Sequence, residues 1–473
     1  MASRSFCLLL SLVFVCLAEP QPDYLKFVRA YADAMIQRGR DEYGAVRSPL
    51  FAAALDRKTL RLPAGAPPEI PGIREGDRTW TGANPMHDLN LYQVLYALTK
   101  ITGEARYAAA ADEALKWFFQ HAQSPATGLF AWGEHLGWDF HREAVLANRI
   151  PHEYYRPWVL WEKCFQLAPE ACRKFALGVW RHQIADHKTG EFSRHARFDQ
   201  HGPAKGWEFP RHGGFYITTW ASAYGRCKDA ELLEAIECLL ASFEDRRHRD
   251  SGAIPSTVRS SDLHSPQSEL SLALDLWDGA KRVPGALAAK MRASAARTDE
   301  VFLKAPHDVG PGGKGFVAAA ATATLQPSAF TQTWATGYGL MTDAQYSMLC
   351  LLRYRQVRKE PYRKLFLAAA DRYLASAPDT SIALYPGAVA DAIAAMLGAW
   401  RLTGDAKYLQ RADTLGRLAA ELFFADGPLP RASTRHDHYE AITRADTLAM
   451  ELLNLWGARN RPRLNLGMIY PER

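Results

Sequence analysis

A turn built around Thr-Gly and an acidic residue occurs twice in the sequence, at residues 102–107 and 403–408. In each copy an apolar helical pattern ends at Thr-Gly, and a second pattern follows the acid. Glycine can take the left-handed conformation that ends a helix, and an acid suits the positive end of the next helix dipole. Looser copies occur at residues 228–229 and 359–362. The repeat predicts helical hairpins that recur along the chain.

Apolar residues recur at helical spacing over most of the chain, and alternating strand patterns are scarce. The spacing predicts about 14 helices, over residues 23–44, 87–102, 104–122, 153–167, 169–186, 214–226, 229–245, 266–278, 285–304, 339–357, 359–376, 386–402, 405–424 and 437–457. Repeated hairpins stack into a solenoid or close into a ring. We expect an all-α fold, an (α/α)6-7 toroid of helical hairpins.

Four segments rich in proline and glycine separate these helices, at residues 56–84, 190–214, 250–267 and 305–315. Long loops without secondary structure in a compact domain are often functional. In a toroid we expect them to lie together over one mouth.

The first residues have the pattern of a secretion signal, with Arg4 ahead of an apolar run from Phe6 to Leu17. Residues 1–18 are predicted to be a signal peptide, and residues 19–473 a single toroidal catalytic domain. The run is too short to remain as a membrane span, and no later stretch is long enough. We expect a protein that is secreted or periplasmic and does not bind membranes.

The formal net charge of +6 is a modest basic excess, which suits an anionic substrate. The chain lacks the dense Lys/Arg stripes of nucleic-acid-binding proteins, and nothing indicates an obligate protein partner. Five cysteines follow residue 18: Cys164, Cys172, Cys227, Cys238 and Cys350. An odd number without close spacing argues against a disulfide framework, and buried free thiols are expected for most of them.

Two imidazoles, a carboxylate and a guanidinium occur in separate loops between residues 128 and 195. His135, Glu153 and His195 are the candidate metal ligands, with Arg194 beside His195. Two histidines and one carboxylate suit a divalent transition metal and leave positions free for a substrate. The alternative is a chance set of solvated side chains, since the chain has 15 histidines and the spacing matches no local metal motif.

The segment from about Asn84 to Phe198 resembles polysaccharide lyase family 2, secreted or periplasmic pectate lyases with an (α/α)7 barrel. The resemblance rests on four elements in order: the Thr102–Tyr107 turn, the Gly128–His135 element ending in Trp-Gly-Glu-His, the His152-Glu153 pair, and the Glu191–His195 element. The interval of 42 residues between Glu153 and His195 agrees with the family.

The resemblance implies roles for the four residues. His135, Glu153 and His195 would hold a divalent metal, Mn²⁺ by resemblance, and Arg194 would be the catalytic base. The reaction would be β-elimination in pectate (polygalacturonate) or a related uronate polymer: removal of the C5 proton and departure of the C4 oxygen. Because a guanidinium normally stays protonated, Arg194 could instead clamp a carboxylate, with another residue as the base.

This sequence departs from the family pattern at Glu134, where the family has glycine, so a further carboxylate stands beside His135. Glu134 could bind the metal, orient the imidazole or act as an acid. Glu134 is also a candidate substrate contact, together with five other residues that each have a structural alternative: His87, Arg211, His212, Tyr216 and Trp132.

Two other functions remain open. One is a toroidal glycoside hydrolase, which needs two carboxylates that flank one bond; the available candidates are Glu134, Asp139, Glu153 and Asp437. The other is a non-catalytic sugar-binding toroid that uses aromatic loops.

Overall fold

The computed structural model describes residues 22–147, 152–201, 206, 208–335 and 341–473. Within these residues the chain forms 14 α-helices. In chain order they are α1 (Tyr24–Gln37), α2 (Leu89–Thr102), α3 (Ala105–His121), α4 (Trp161–Leu167), α5 (Pro169–Gly178), α6 (Pro210–Cys227), α7 (Ala230–Asp245), α8 (Pro266–Gly279), α9 (Gly285–Lys304), α10 (Asp343–Val357), α11 (Glu360–Ala375), α12 (Pro386–Thr403), α13 (Ala406–Phe423) and α14 (Ala445–Asn460).

The helices form an inner and an outer ring. The even-numbered helices from α2 to α14 form the inner ring, and the helix that follows each one packs outside it. Helix α14 packs against both α2 and α1, which closes the ring. The predicted (α/α)6-7 toroid is therefore confirmed, with seven helix pairs among the described residues.

Burial follows the two rings. Every residue of α12 from Pro386 to Ala399 is buried, as expected for a helix that is covered on all sides. The outer helix α13 buries one face only, through residues such as Tyr408, Leu415 and Phe423. This difference explains why α12 is almost uniformly apolar in sequence, whereas α13 has polar residues on its outer face.

Short turns connect the inner helices from α2 to α12 to the outer helices that follow them. Gly103 and Gly404 end α2 and α12 in the left-handed conformation, with φ of 78° and 76°. Lys228 and Arg358 take the same conformation after α6 and α10. The turns predicted from the repeat are confirmed.

Long segments lead from each outer helix to the next inner helix, and all of the short strands lie in them. The strands are β1 (Ala54–Asp56), β2 (Gly82–Ala83), β3 (Leu136–Asp139), β4 (Ala144–Ala147), β5 (His152–Glu153), β6 (Ile184–Asp186), β7 (Glu191–Phe192), β8 (His195–Ala196), β9 (Leu263–His264), β10 (Val317–Ala321), β11 (Pro327–Phe330) and β12 (His438–Glu440). They pair as β1–β12, β2–β3–β4, β5–β8, β6–β7 and β9–β10–β11. These segments lie over the mouth at which the inner helices begin.

Four predicted helices differ from the structure. The helix predicted over residues 153–167 begins only at Trp161, and Glu153 lies in strand β5. The helix predicted over 437–457 begins at Ala445, after strand β12. The helix predicted over 23–44 ends at Gln37. The α-helix predicted over 169–186 ends at Gly178, and a π-helical turn and strand β6 follow it. In the first two cases the apolar residues before the helix line the mouth, so their spacing reflects burial rather than a helix.

The five cysteines of the described residues are free thiols. In the same residues no helix is both long and apolar enough to cross a bilayer. The predicted signal peptide, residues 1–18, lies outside the described residues.

Candidate metal centre and active site

The pairing of β5 with β8 forms the centre of the site. The two strands are antiparallel, and Glu153 lies directly opposite His195. Residues opposite each other project from the same face of a strand pair, and Nε2 of His195 lies 2.9 Å from Oε2 of Glu153. Because neighbouring residues of a strand face opposite sides, His152 points away, and its Nδ1 lies 3.2 Å from Oε1 of Gln183.

A close backbone approach at Gly133 brings His135 to the same carboxylate. Gly133 has φ of 125°, and a Cβ there would lie 2.1 Å from the carbonyl oxygen of Glu153. Only glycine fits at this position, because φ is positive and because a Cβ would clash with the backbone of Glu153. Nε2 of His135 then lies 3.5 Å from Oε2 of Glu153 and 3.2 Å from Oε2 of Glu134.

Four side chains converge at this point. Glu134, His135, Glu153 and His195 each offer one ligand atom, and these atoms all lie within 4.8 Å of one another. Donors that share a transition metal at about 2.0–2.2 Å are separated by about 3–4 Å. Two imidazoles and two carboxylates are also the donor types that such a cation prefers. The residues present therefore fit a divalent cation after small side-chain movements.

Four further residues contact this set, and one of them is Arg74, whose Nη2 lies 3.1 Å from Oε1 of Glu134. Asp77, at the end of a short 3₁₀ helix (Glu75–Asp77), places Oδ1 2.9 Å from Nδ1 of His135. Nε of Arg194 lies 3.1 Å from Oε1 of Glu153, and its guanidinium is over the ring of Phe209 at 5.0 Å. Nε2 of His212, in the first turn of α6, lies 2.9 Å from the same Oε1.

The protonation of these groups follows from their contacts. Burial favours the neutral form of His135, but hydrogen bonds with Asp77, Glu134 and Glu153 outweigh it and raise its pKa to about 11. Burial alone would raise the pKa of Glu153, but bonds from His135, His195 and His212 hold it well below its usual range. Burial lowers the pKa of His212 to about 3 despite its bond to Glu153. A cation bound in the cluster would replace the proton of His135 that faces Glu134 and Glu153.

The structure brings together the four residues singled out in the sequence, His135, Glu153, Arg194 and His195. Glu134, for which metal binding was one of three predicted roles, lies with them. Their roles as ligands and base stay predictions. Arg194 has 18% of its side chain exposed, so it lies at the boundary between the cluster and the mouth.

The weaker candidates for substrate contact are buried or partly buried. His87, Trp132, His212 and Tyr216 are at most 1% exposed, so a sugar could touch them only if they were uncovered. Trp132 packs against Phe130 and Trp158 in an aromatic cluster. Arg211 is partly buried, and its backbone N–H donates to Oγ of Ser268 at 3.0 Å. Substrate contact by these residues stays a prediction.

Sequence reasoning missed Asp77. It lies 58 residues before His135 in a loop rich in proline and glycine, where a lone aspartate gives no signal. Only the fold of the mouth brings it to the imidazole.

Comparison with protein families gives one match. Residues 48–234 match the model of a family described as periplasmic pectate lyase. The resemblance predicted from the sequence is confirmed over these residues, which include the whole cluster described above. The match identifies the chain as an enzyme and suggests the lyase class.

Solved structures with a similar fold are distant in sequence. A D-mannose isomerase is 11% identical, with 91% of this chain and 97% of that one covered and a TM-score of 0.47. An α-mannanase from Bacteroides thetaiotaomicron is 10% identical, with 93% and 96% covered and a TM-score of 0.47. An unsaturated glucuronyl hydrolase specific for heparin is 13% identical, with 92% and 97% covered and a TM-score of 0.45. Similarity at this level does not bear on the activity of this chain.

Proposed function

We propose that this enzyme is a metal-dependent polysaccharide lyase that cleaves pectate (polygalacturonate) or a related uronate polymer by β-elimination. The observation that carries the proposal is the convergence of Glu134, His135, Glu153 and His195 beside Arg194. All five residues lie within the segment that matches the pectate lyase family.

The four ligands hold the site for a divalent cation, and Mn²⁺ is the cation that the resemblance favours. A cation bound there would neutralise the substrate carboxylate and stabilise the charge that forms when the C5 proton leaves. Asp77 orients His135 through the 2.9 Å contact between its Oδ1 and Nδ1 of the imidazole, which directs Nε2 towards the cluster. His212 supports Glu153 from the buried side.

Arg194 is the residue that meets the substrate. Its Nε faces Glu153, and 18% of its side chain is exposed at the mouth. We assign to it removal of the C5 proton, which requires a neutral guanidinium, and the charge of a cation bound at the four ligands would favour that form. The electron pair of the C5–H bond becomes the C4=C5 double bond, and the C4 oxygen leaves with the pair of the broken C4–O bond and takes a proton from solvent. Water is not added to the chain.

The architecture favours an anionic substrate at this mouth. The inner helices begin there, and a helix N-terminus carries a partial positive charge. Together with the net charge of +6, this arrangement would attract a polyuronate. We further propose that residues 19–473 form one catalytic domain that is exported after removal of residues 1–18.

The product distinguishes elimination from hydrolysis. We expect polygalacturonate oligomers of defined length to give pairs of fragments whose masses sum to that of the parent, with an unsaturated uronide at the new non-reducing end. Pairs that together gain one water per cleavage and contain no double bond would show a hydrolase and overturn the proposal. Absence of turnover on a panel of uronate polymers, with binding retained, would indicate the non-catalytic sugar-binding function.

A further inference from the structure

The segment that follows α14 runs into the centre of the toroid. Residues 461–463 are exposed, whereas Tyr470 and Glu472 are only 8% and 7% exposed. The segment enters at the end of the ring where α14 finishes and extends towards the mouth that carries the metal centre. Here we call residues 469–473 the bore segment.

The bore segment contacts helices around the ring. Ile469 exchanges two hydrogen bonds with the side chain of Gln93 on α2, at 2.6 and 3.0 Å. Tyr470 donates to Asp391 on α12. Arg473 reaches Asp275 on α8, with 2.7 Å between Nη2 and Oδ1. A segment held at so many points has one defined position.

Glu472 places a carboxylate between two arginines. It lies at the mouth end of the bore, the space that the inner ring of helices encloses. Oε1 of Glu472 lies 3.5 Å from Nη2 of Arg156 and 3.2 Å from Nε of Arg444. Arg444 is also paired with Asp391. Arg156 is only 5% exposed, and Glu472 is its only carboxylate partner within ion-pair distance among the residues that the structure describes.

Arg156 belongs to the loop that bears the metal centre, since it follows Glu153 by three residues. It also donates to the carbonyl oxygen of Met86 at 3.3 Å, so it joins this loop to the start of α2. A buried guanidinium that loses its carboxylate is left with an uncompensated charge and moves towards water. Movement of Arg156 would carry the Glu153 backbone with it.

We propose that Glu472 is a positioning residue for the metal centre: through Arg156 it holds the loop that carries Glu153 in place. The segment after α14 is then the floor of the active site, so a polymer lies across the mouth and does not pass through the ring. The link from Glu472 to metal affinity rests on the proposed function, whereas the link from Glu472 to the loop does not.

The test compares Glu472→Gln with Glu451→Gln in the full-length protein. Glu451 is also a buried carboxylate of the bore, but its hydrogen bond is to Asn454. Hydrogen exchange of a peptide over residues 152–159 reports the loop, and calorimetric titration of metal-free protein with Mn²⁺ reports the centre. We expect Glu472→Gln to speed exchange in this peptide and to weaken Mn²⁺ binding about tenfold. Glu451→Gln should leave both the exchange rate and the Mn²⁺ affinity unchanged. Glu472→Asp keeps a carboxylate, so both quantities should stay close to those of the wild type.

Wild-type exchange in residues 152–159 of Glu472→Gln would overturn the proposal. If that variant does not fold, the double variant Arg156→Met, Glu472→Met removes both charges, and replacing a buried ion pair by apolar side chains is often tolerated. This variant should also show faster exchange, and wild-type exchange would again contradict the positioning role. Failure of the wild-type protein to bind Mn²⁺ would refute the proposed metal centre, while the exchange result would still decide the role of Glu472.

Discussion

Both carboxylate oxygens of Glu153 are engaged in the site. One faces His135 and His195, and the other faces Arg194 and His212. At 1% exposure the carboxylate is nearly closed to water, and a buried charge needs this many partners. A cation in the cluster would bind the carboxylate oxygen that faces His135 and His195. His212 and Arg194 would continue to contact the other oxygen.

Replacement of Arg194 separates catalysis from metal binding. We expect Arg194→Ala to lower kcat on a uronate polymer by about 10²–10⁴, with Mn²⁺ affinity close to that of the wild type, because Arg194 contacts the ligand Glu153 but is not a ligand. Steady-state kinetics and calorimetric titration measure the two effects. The exposed Arg197 provides the matched control, and Arg197→Ala should retain activity. If Arg194→Ala lowered metal affinity by the same factor as kcat, Arg194 would act only by supporting the metal ligands and not as the base.

Replacement of Asp77 tests the orientation of His135. Asp77→Asn keeps the shape of the side chain but removes the charge that favours the Nδ1–H form of the imidazole. We expect metal affinity to fall by about 10–100-fold, measured by titration of metal-free protein. Asp199→Asn, at an aspartate with 72% of its side chain exposed, should have no effect. Equal affinities for the two variants would exclude an orienting role for Asp77.

At the scale of elements, the helices could be predicted and the strands that build the site could not. Fourteen predicted helices correspond to the 14 in the described residues, because apolar spacing repeats over several turns in each. Strands β5 and β8 have two residues each, and two residues show no alternation. The resemblance brought Glu153 and His195 into one site, but their cross-strand pairing came only from the structure.

Gly133 has a role that its sequence motif did not reveal. Alanine there would meet the carbonyl oxygen of Glu153 and would also need a positive φ. We expect Gly133→Ala to lower the free energy of unfolding by more than about 3 kcal/mol and to abolish metal binding. Urea denaturation and metal titration measure these effects.

Gly404 is the control for this prediction. It has φ of 76°, but a Cβ added there would meet no atom of the described residues within 4 Å. Gly404→Ala should therefore cost only about 1 kcal/mol and leave metal binding intact. Equal losses for the two variants would show that backbone strain alone, without the contact to Glu153, accounts for the effect at Gly133.

At the scale of the whole molecule, several ionisable side chains are buried in the space that the inner ring encloses. Burial raises the pKa of Glu451 to about 7, against a smaller opposing effect of Arg401. The unfolded chain has a pKa of 4.5 at this residue. Between pH 4.5 and about 7 the folded protein therefore keeps Glu451 protonated, whereas the unfolded chain releases the proton. The resulting stability is present below about pH 4.5 and is lost as the pH rises through about 7.

Glu451→Gln should remove this pH dependence. We expect the variant to match the wild type near pH 5 and to be more stable at pH 8, by up to roughly 3 kcal/mol. Denaturant unfolding at the two pH values measures the difference. A variant that is less stable than the wild type at pH 8 would show that the ionised carboxylate is well paired in the bore.

The toroid explains how separate loops reach one point. Each loop enters the same mouth before an inner helix, so residues as distant in sequence as Asp77 and His212 meet at Glu153 and His135. A local motif could not show this. The short turns lie at the opposite end of the ring, and they contain no residue of the cluster.

Titration of the metal-free protein with Mn²⁺, with His135→Ala and Glu153→Ala in parallel, tests the metal centre most directly. We expect one site per chain in the wild-type protein and a loss of binding of at least about 100-fold in each variant. No binding by the wild-type protein, or binding that both substitutions leave unchanged, would contradict the account.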